Sequence, residues 1–249
     1  MITQTMTPLE IVNEVHADFK NIEDKSMSRL VKIYNRERII RKVPKNSRYV
    51  KDYQLKTAKK NPWIIFISKP HKLKKYKGAP QYFGITYHYG KQGIRVFEVN
   101  YDGVNVYNGH LFSRYNQRLG LNIALPVERI KRFFLNRGYC VAFKQNADQH
   151  GRVYYFLPVS EGVLLGEEQE NGLWVVYKTF LSNDLLRHSQ RNLIHEIEDF
   201  VKNEAKFEQE DPNASREEYE WMSNVFNNTE RSSIIPDLLN HSKKLNYSQ

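Results

Sequence analysis

The chain has 249 residues, of which 40% are hydrophobic and 27% are charged, so it is long enough for one large domain or two small ones with buried cores. Its aromatic content of 13% argues against disorder, and its single cysteine, Cys140, excludes an internal disulfide and a cysteine-based zinc cluster. No stretch approaches the roughly 20 apolar residues of a membrane span, and residues 1–10 lack the apolar core of a secretory signal. We therefore predict a cytoplasmic protein with no membrane partner.

Charge is distributed unevenly along this basic chain, whose formal net charge is +10. Residues 29–77 contain 17 Lys or Arg and two acidic residues, whereas residues 196–230 contain 11 acidic and three basic residues. A basic run with tyrosines between its cations suits a polyanion, because cations neutralise phosphates and aromatic rings stack on unpaired bases. We predict that nucleic acid is the partner and is bound by the densest part of this run, Lys69, Lys72, Lys74, Lys75 and Lys77.

Two alternatives stay open for these charges. The basic surface could fold against the acidic C-terminal region of the same chain, or that acidic region could bind a protein partner or an inhibitor. A membrane-surface patch is disfavoured because the stretch from Lys69 to Lys77 contains Pro70 and ends against Gly78, which is typical of a loop and not of an amphipathic helix.

The N-terminal segment predicts helices. Thr7, Pro8 and Glu10 fit the N-cap, first-turn and N3 positions of a capping box, so a helix should start at Thr7. A second stretch from Met27 keeps helical spacing toward Ile40.

The hydrophobic period then changes to that of strands. Runs of β-branched and aromatic residues predict four strands, at residues 63–68, 82–89, 94–100 and 104–107. Two helices follow, at residues 111–119 and 127–135. Turn signals then separate four strands of an antiparallel meander, at residues 139–144, 153–159, 162–167 and 173–182. A last helix, capped by Ser182 or Asp184, is expected to run through Val201.

These elements predict an α+β fold: antiparallel sheet or sheets with an N-terminal helical segment, a central helix pair and a C-terminal helix. We divide the chain into an N-terminal helical, basic segment (1–60), an α+β core domain (61–203) and an acidic, polar C-terminal region (204–249). At this point it is open whether the first strands share a sheet with residues 104–185.

The pattern most informative about chemistry is formed by His110, Arg114 and Arg118, which are spaced by four residues and therefore lie along one side of a helix. Histidine moves protons near neutral pH, and arginine binds a phosphate with two N–H groups and stabilises developing negative charge. The pattern favours phosphodiester chemistry that needs no metal or cofactor. Alternatively, the three residues form an exposed helix face whose arginines pair with Glu98, Glu128 or Asp102 and whose histidine caps the turn after Gly109.

This helical H-x-x-x-R-x-x-x-R pattern, followed by a second helix and an antiparallel sheet whose last strand carries a hydroxyl residue, resembles metal-independent ribonucleases of the barnase, colicin D and RelE type. The resemblance covers residues 104–185. It implies a toxin-type endoribonuclease, a hydrolase, whose site combines the helical His and Arg residues with Thr179. Tyr177 is expected to share a strand face with Thr179, because side chains alternate along a strand.

A nuclease of this kind favours RNA over DNA, because the 2′-hydroxyl of RNA supplies the attacking oxygen. The alternative from a different class is a non-catalytic nucleic-acid-binding or assembly protein, in which the arginines only contact phosphates.

Overall fold

The computed structural model describes residues 1–43, 49–68, 80–91, 93–99, 103–137, 142–144, 147–148, 150–170, 172–188 and 191–192. The five lysines predicted to bind nucleic acid, Cys140 and the chain from residue 193 onward lie outside the described residues. That last part includes most of the predicted C-terminal helix and all of the acidic C-terminal region. At the expected start of the predicted C-terminal helix, Asn183–Leu185 form a single turn of 3₁₀-helix.

The N-terminal helices form where the sequence predicts them. Helix α1 (Pro8–Ile22) begins with the predicted capping box, in which the Glu10 N–H donates to Thr7 Oγ1 at 3.3 Å and the Thr7 N–H donates to the Glu10 carboxylate at 2.7 Å. A π-helical turn (Glu23–Met27) joins α1 directly to α2 (Ser28–Ile40). The two predicted helices are therefore one continuous helical segment.

Nine strands of the described residues form one sheet. They are β1 (Val50–Lys56), β2 (Pro62–Ser68), β3 (Gln81–Gly90), β4 (Gly93–Val99), β5 (Val104–Asn108), β6 (Phe143–Lys144), β7 (Tyr154–Val159), β8 (Gly162–Gln169) and β9 (Trp174–Ser182). Their order across the sheet is β1-β2-β3-β4-β5-β9-β8-β7-β6. The first strands and the meander of residues 143–182 thus share a single sheet.

Seven of the eight neighbouring strand pairs are antiparallel, and β5 and β9 form the parallel pair in the middle of the sheet. Strand β1 was not predicted, yet it pairs along its whole length with β2, across the predicted boundary at residue 60. The predicted strand at 139–144 is seen as β6 only, since residues 138–141 lie outside the described residues.

Helices cover both faces of the sheet. Strand β2 shows the arrangement, because Trp63, Ile65 and Ile67 pack toward α1 and α2 whereas Ile64 and Phe66 pack toward the other face. That face is covered by the central helix pair, α3 (Gly109–Arg118) and α4 (Pro126–Asn136), whose presence confirms the prediction. Two apolar cores result, one on each face, which explains why the run at β2 is apolar at successive positions and not only at alternate ones.

Helix α4 contacts both wings of the sheet. Lys131 Nζ lies 3.3 Å from the Asp52 carboxylate on β1, and Arg132 Nη2 lies 3.9 Å from Glu161 in the turn before β8. In a flat sheet the positions of β1 and β8 would be about 29 Å apart, at about 4.8 Å per strand. Because two adjacent residues of one helix reach both, the sheet curves around α4. In the described residues, no helix is long and apolar enough to cross a bilayer.

Candidate functional site

Helix α3 begins immediately where strand β5 ends, and Gly109 makes this junction possible. A Cβ atom on Gly109 would lie 2.7 Å from Ile94 Cγ2 and 2.9 Å from the Ile94 carbonyl oxygen. These distances are shorter than real carbon contacts allow, so any side chain here would push the helix away from β4. The glycine therefore sets the position of α3 and of every candidate side chain on it.

The structure places His110, Arg114 and Arg118 along one side of α3, as their spacing predicts. His110 is exposed and both arginines are half-buried. The opposite side of the helix is apolar and packs into the core through Leu111, Phe112 and Tyr115. The apolar side thus anchors the helix and leaves an imidazole and two guanidinium groups near solvent.

The acids expected in the alternative interpretation have other partners. Glu98 pairs with Arg137, and Glu128 pairs with Lys131. Among the described residues, none of the three basic side chains of α3 forms an ion pair with an acid. Neither Glu98 nor Glu128 therefore neutralises the basic face of α3, and Asp102, the third acid of that interpretation, lies outside the described residues.

The charges on α3 change its proton equilibria. Although the His110 side chain is exposed, partial desolvation lowers its pKa, and the positive charges of Arg114 and Arg118 lower it further. Burial also lowers the pKa of each arginine. For Arg118 the charge of Arg114 lowers the pKa further, whereas the negative charge of Asp184 raises it. Both guanidinium groups stay charged at neutral pH. At pH 7 the site therefore holds two cations beside a neutral imidazole, which can accept a proton.

Arg118 links α3 to the sheet. Its Nη1 donates a hydrogen bond to the carbonyl oxygen of Phe180 on β9. That carbonyl is accessible because the pairing of β5 with β9 ends at Tyr107 and Tyr177, so α3 takes the place beside the rest of β9. One N–H group of Arg118 is therefore engaged in a hydrogen bond, whereas Arg114 donates no hydrogen bond to another described residue.

The structure of β9 differs from the prediction that Tyr177 and Thr179 contribute to the site together. In the pairing of β8 with β9, Tyr177 lies opposite Gly166 and Thr179 lies opposite Leu165. Lys178, between them, has no opposite residue and forms a β-bulge. Such a bulge interrupts the alternation of side chains. Tyr177 consequently faces the core under α3 and α4, whereas Thr179 lies on the other face of the sheet with Leu165. The prediction that Tyr177 and Thr179 share one face is wrong.

Tyr177 is also remote from solvent. Its side chain is 0% exposed, and its ring stacks on that of Tyr107 at a centroid distance of 5.1 Å. Of the five residues predicted to form a catalytic site, the structure brings together His110, Arg114 and Arg118. It places Tyr177 beneath them in the core and Thr179 on the far side of the sheet.

A buried ionic network was not anticipated from the sequence. The Glu98 carboxylate accepts hydrogen bonds from Arg137 at 2.7 and 2.8 Å, from Tyr107 at 2.5 Å and from Asn105 at 3.3 Å. The Arg137 guanidinium also lies 4.8 Å from the ring centroid of Phe83. A signal was present, because Glu98 continues the alternation of Ile94 and Val96 and therefore had to face the core.

A groove of about 460 Å³ lies beside this region, lined by Tyr49, Val50, Leu135, Asn136, Ser160 and Glu161. Its one carboxylate, Glu161, already accepts hydrogen bonds from Tyr115 and Asn136 and lies near Arg132. In the part of the chain that the structure describes, no group of three or more His, Cys, Asp or Glu side chains could hold a metal ion. The basic side of α3 is therefore the arrangement best suited to bind a ligand.

Comparisons of this chain with protein-family models, with curated proteins and with solved structures found no match.

Proposed function

We propose that this protein binds nucleic acid, with RNA as its main ligand, through the basic side of α3. The observation that carries the proposal is the alignment of Arg114 and Arg118 on one accessible side of a helix. Among the described residues neither arginine is in ion-pair contact with an acid, and Asp184 acts on Arg118 only through its charge at longer range. Each guanidinium offers a planar fork of N–H groups that matches two phosphate oxygens. Half-burial strengthens such a contact, because the surroundings are less polarisable than water.

A second candidate function, cleavage of RNA at the same site, is favoured by His110. The low pKa of His110 provides a neutral imidazole at pH 7, beside the groups that would hold the phosphate. In this reaction the imidazole accepts the proton of a 2′-hydroxyl, whose oxygen forms a bond to the adjacent phosphorus. The bond from phosphorus to the 5′-oxygen breaks, water protonates the leaving oxygen, and a 2′,3′-cyclic phosphate and a 5′-hydroxyl result.

Support for the second candidate also comes from chain order. Helices α3 and α4 precede an antiparallel meander of β6, β7, β8 and β9, the order implied by the resemblance to barnase, colicin D and RelE ribonucleases. The burial of Tyr177 and the orientation of Thr179 leave His110 as the proton-transferring group of the proposed site. For this reason we place binding before cleavage.

The binding proposal is tested with a short, labelled single-stranded RNA in EDTA, titrated over a series of salt concentrations. Arg114→Ala is expected to raise the Kd about tenfold, equivalent to ~1.4 kcal/mol. It should also make the plot of log K against log salt concentration less steep, by the amount expected for the loss of about one phosphate contact. Lys20→Ala is the charge-matched control, because Lys20 is exposed on α1 across the sheet and lies outside the basic run of residues 29–77. Equal Kd values for the two variants would contradict binding by α3.

The cleavage candidate is tested with total RNA in EDTA, comparing wild type with His110→Ala. Cleavage by wild type and intact binding without cleavage by His110→Ala would support it. RNA that stays intact with wild-type protein, although it binds, would leave binding as the function.

A further inference from the structure

Two tyrosines near the end of β3 stand on the same face of the sheet as α3. Phe83, Ile85 and Tyr87 pack in or against the core of this face, and Tyr89 continues the alternation beyond it. Tyr89 is 56% exposed, and the rings of Tyr87 and Tyr89 lie 6.0 Å apart at 88°. Because the two rings are perpendicular, they do not stack on each other, and each keeps at least one face that the other does not cover.

Strand register places these rings next to the first turn of α3. Tyr89 stands directly opposite Ile94 on β4, and Ile94 is the residue that a side chain at Gly109 would meet. A single residue thus separates Tyr89 from the start of the helix that carries His110. Lys91, in the turn that follows β3 and two residues after Tyr89, is exposed and adds a cation near the tyrosine pair.

We infer that Tyr87 and Tyr89 form a stacking surface for an unpaired base and that the ligand of α3 is single-stranded RNA. The inference rests on the proposed function, since the stacked base belongs to the nucleotide next to the phosphate that Arg114 holds. Tyrosine rings stack on any base, so the surface distinguishes single-stranded from duplex RNA without recognising a particular sequence.

Duplex RNA fits this arrangement poorly. In a duplex the base faces are covered by neighbouring bases, whereas the bases of a single strand can turn out and stack on a protein ring. The cations of α3 and the exposed Lys91 then contact phosphates next to the stacked nucleotide. Binding therefore discriminates single strands from duplexes through Tyr89 and not through charge.

The test measures the Kd of the full chain for a short labelled oligouridine and for the corresponding duplex. Tyr89→Ala is expected to weaken oligouridine binding about tenfold, as for loss of one stacked base, and to leave duplex binding unchanged. Tyr89→Phe keeps the ring and should retain the wild-type Kd. Tyr82→Ala is the matched control, because Tyr82 is an exposed tyrosine of the same strand on the opposite face.

An oligouridine with abasic positions provides an independent readout, since Tyr89→Ala should no longer change its Kd. If Tyr89→Ala binds oligouridine like wild type while Arg114→Ala binds it weakly, the stacking surface is refuted and the proposed function stands. If Arg114→Ala also binds like wild type, the proposed function itself is refuted, and the inference with it.

Discussion

The carboxylate of Glu98 and the guanidinium of Arg137 form a two-pronged ion pair inside the core, with N–O distances of 2.7 and 2.8 Å. Arg137 follows the last residue of α4, and Glu98 lies on β4, so the pair attaches the end of the helix to the middle of the sheet. Both side chains are less than 10% exposed. Such a pair tolerates burial only while both partners are present, because a lone buried charge is strongly unfavourable.

Arg137→Ala is expected to lower the free energy of unfolding by about 3–5 kcal/mol, because it leaves the Glu98 carboxylate buried without its cation. Lys178→Ala removes a cation from the half-exposed pair with Glu167 and should cost less than about 1 kcal/mol. Urea denaturation of the two variants measures the difference. Similar losses for both would show that the buried pair contributes no more than a surface pair.

Glu98 should also make stability depend on acid pH. Burial raises the pKa of Glu98, but the charge and hydrogen bonds of Arg137, with those of Tyr107 and Asn105, outweigh burial and hold the pKa below its ordinary value of 4.5. The folded protein therefore binds this proton less readily than the unfolded chain does. The resulting stability is present above pH 4.5 and is lost as the pH falls through the folded pKa.

The comparison is between wild type and Glu98→Gln, with unfolding free energies measured from neutral pH downward. Below pH 4.5 the curve of the variant should fall less steeply than that of wild type, since its amide takes up no proton. Parallel curves would contradict a lowered pKa of Glu98.

The pKa of His110 should respond to its neighbours on α3. Partial desolvation and then the charges of Arg114 and Arg118 hold it below 6.5, so Arg114→Ala should raise it part of the way toward that value. Gln117→Ala, on the same exposed side of the helix, removes no charge and should leave it unchanged. The imidazole resonances followed by NMR against pH give the midpoint in each protein. An unchanged midpoint in Arg114→Ala would place the two side chains too far apart to act together.

Gly109→Ala should destabilise the protein by about 1–3 kcal/mol, because the added methyl group overlaps Ile94 and forces α3 away from β4. The same shift moves the basic side of the helix, so RNA binding should weaken as well. Gly90→Ala is the control, since its Cβ would meet nothing closer than 3.6 Å. Thermal unfolding separates the two, and equal melting temperatures would argue against a tight junction.

Local signals in the sequence were enough to find most helices and strands. The capping box at Thr7, the alternating run at β4 and the helical spacing around Arg114 each depend on residues close in the chain. Strand β1 was missed because its run VKDYQLK carries three charges among seven residues, which is unusual for a strand. It forms because the apolar strand β2 supplies a complete partner.

The site was only partly predictable for a related reason. The spacing of His110, Arg114 and Arg118 is a property of one helix, whereas the face occupied by Thr179 depends on a bulge in the pairing of β8 with β9. Periodicity cannot reveal a bulge, because it depends on how two strands align. In the same way, the partner of Glu98 lies 39 residues away along the chain.

The parallel pairing of β5 with β9 also has a kinetic consequence. Four residue pairs, from Val104 with Trp174 to Tyr107 with Tyr177, join the two halves of the sheet, and the members of each pair are 70 positions apart. Each half is a meander whose strands are neighbours in the chain and can form early, whereas closing so long a loop is slow. We expect the joining of these two strands to limit the folding rate. Until it occurs, α3 lacks its place beside β9, and the two halves lack the arrangement that the proposed RNA-binding surface requires.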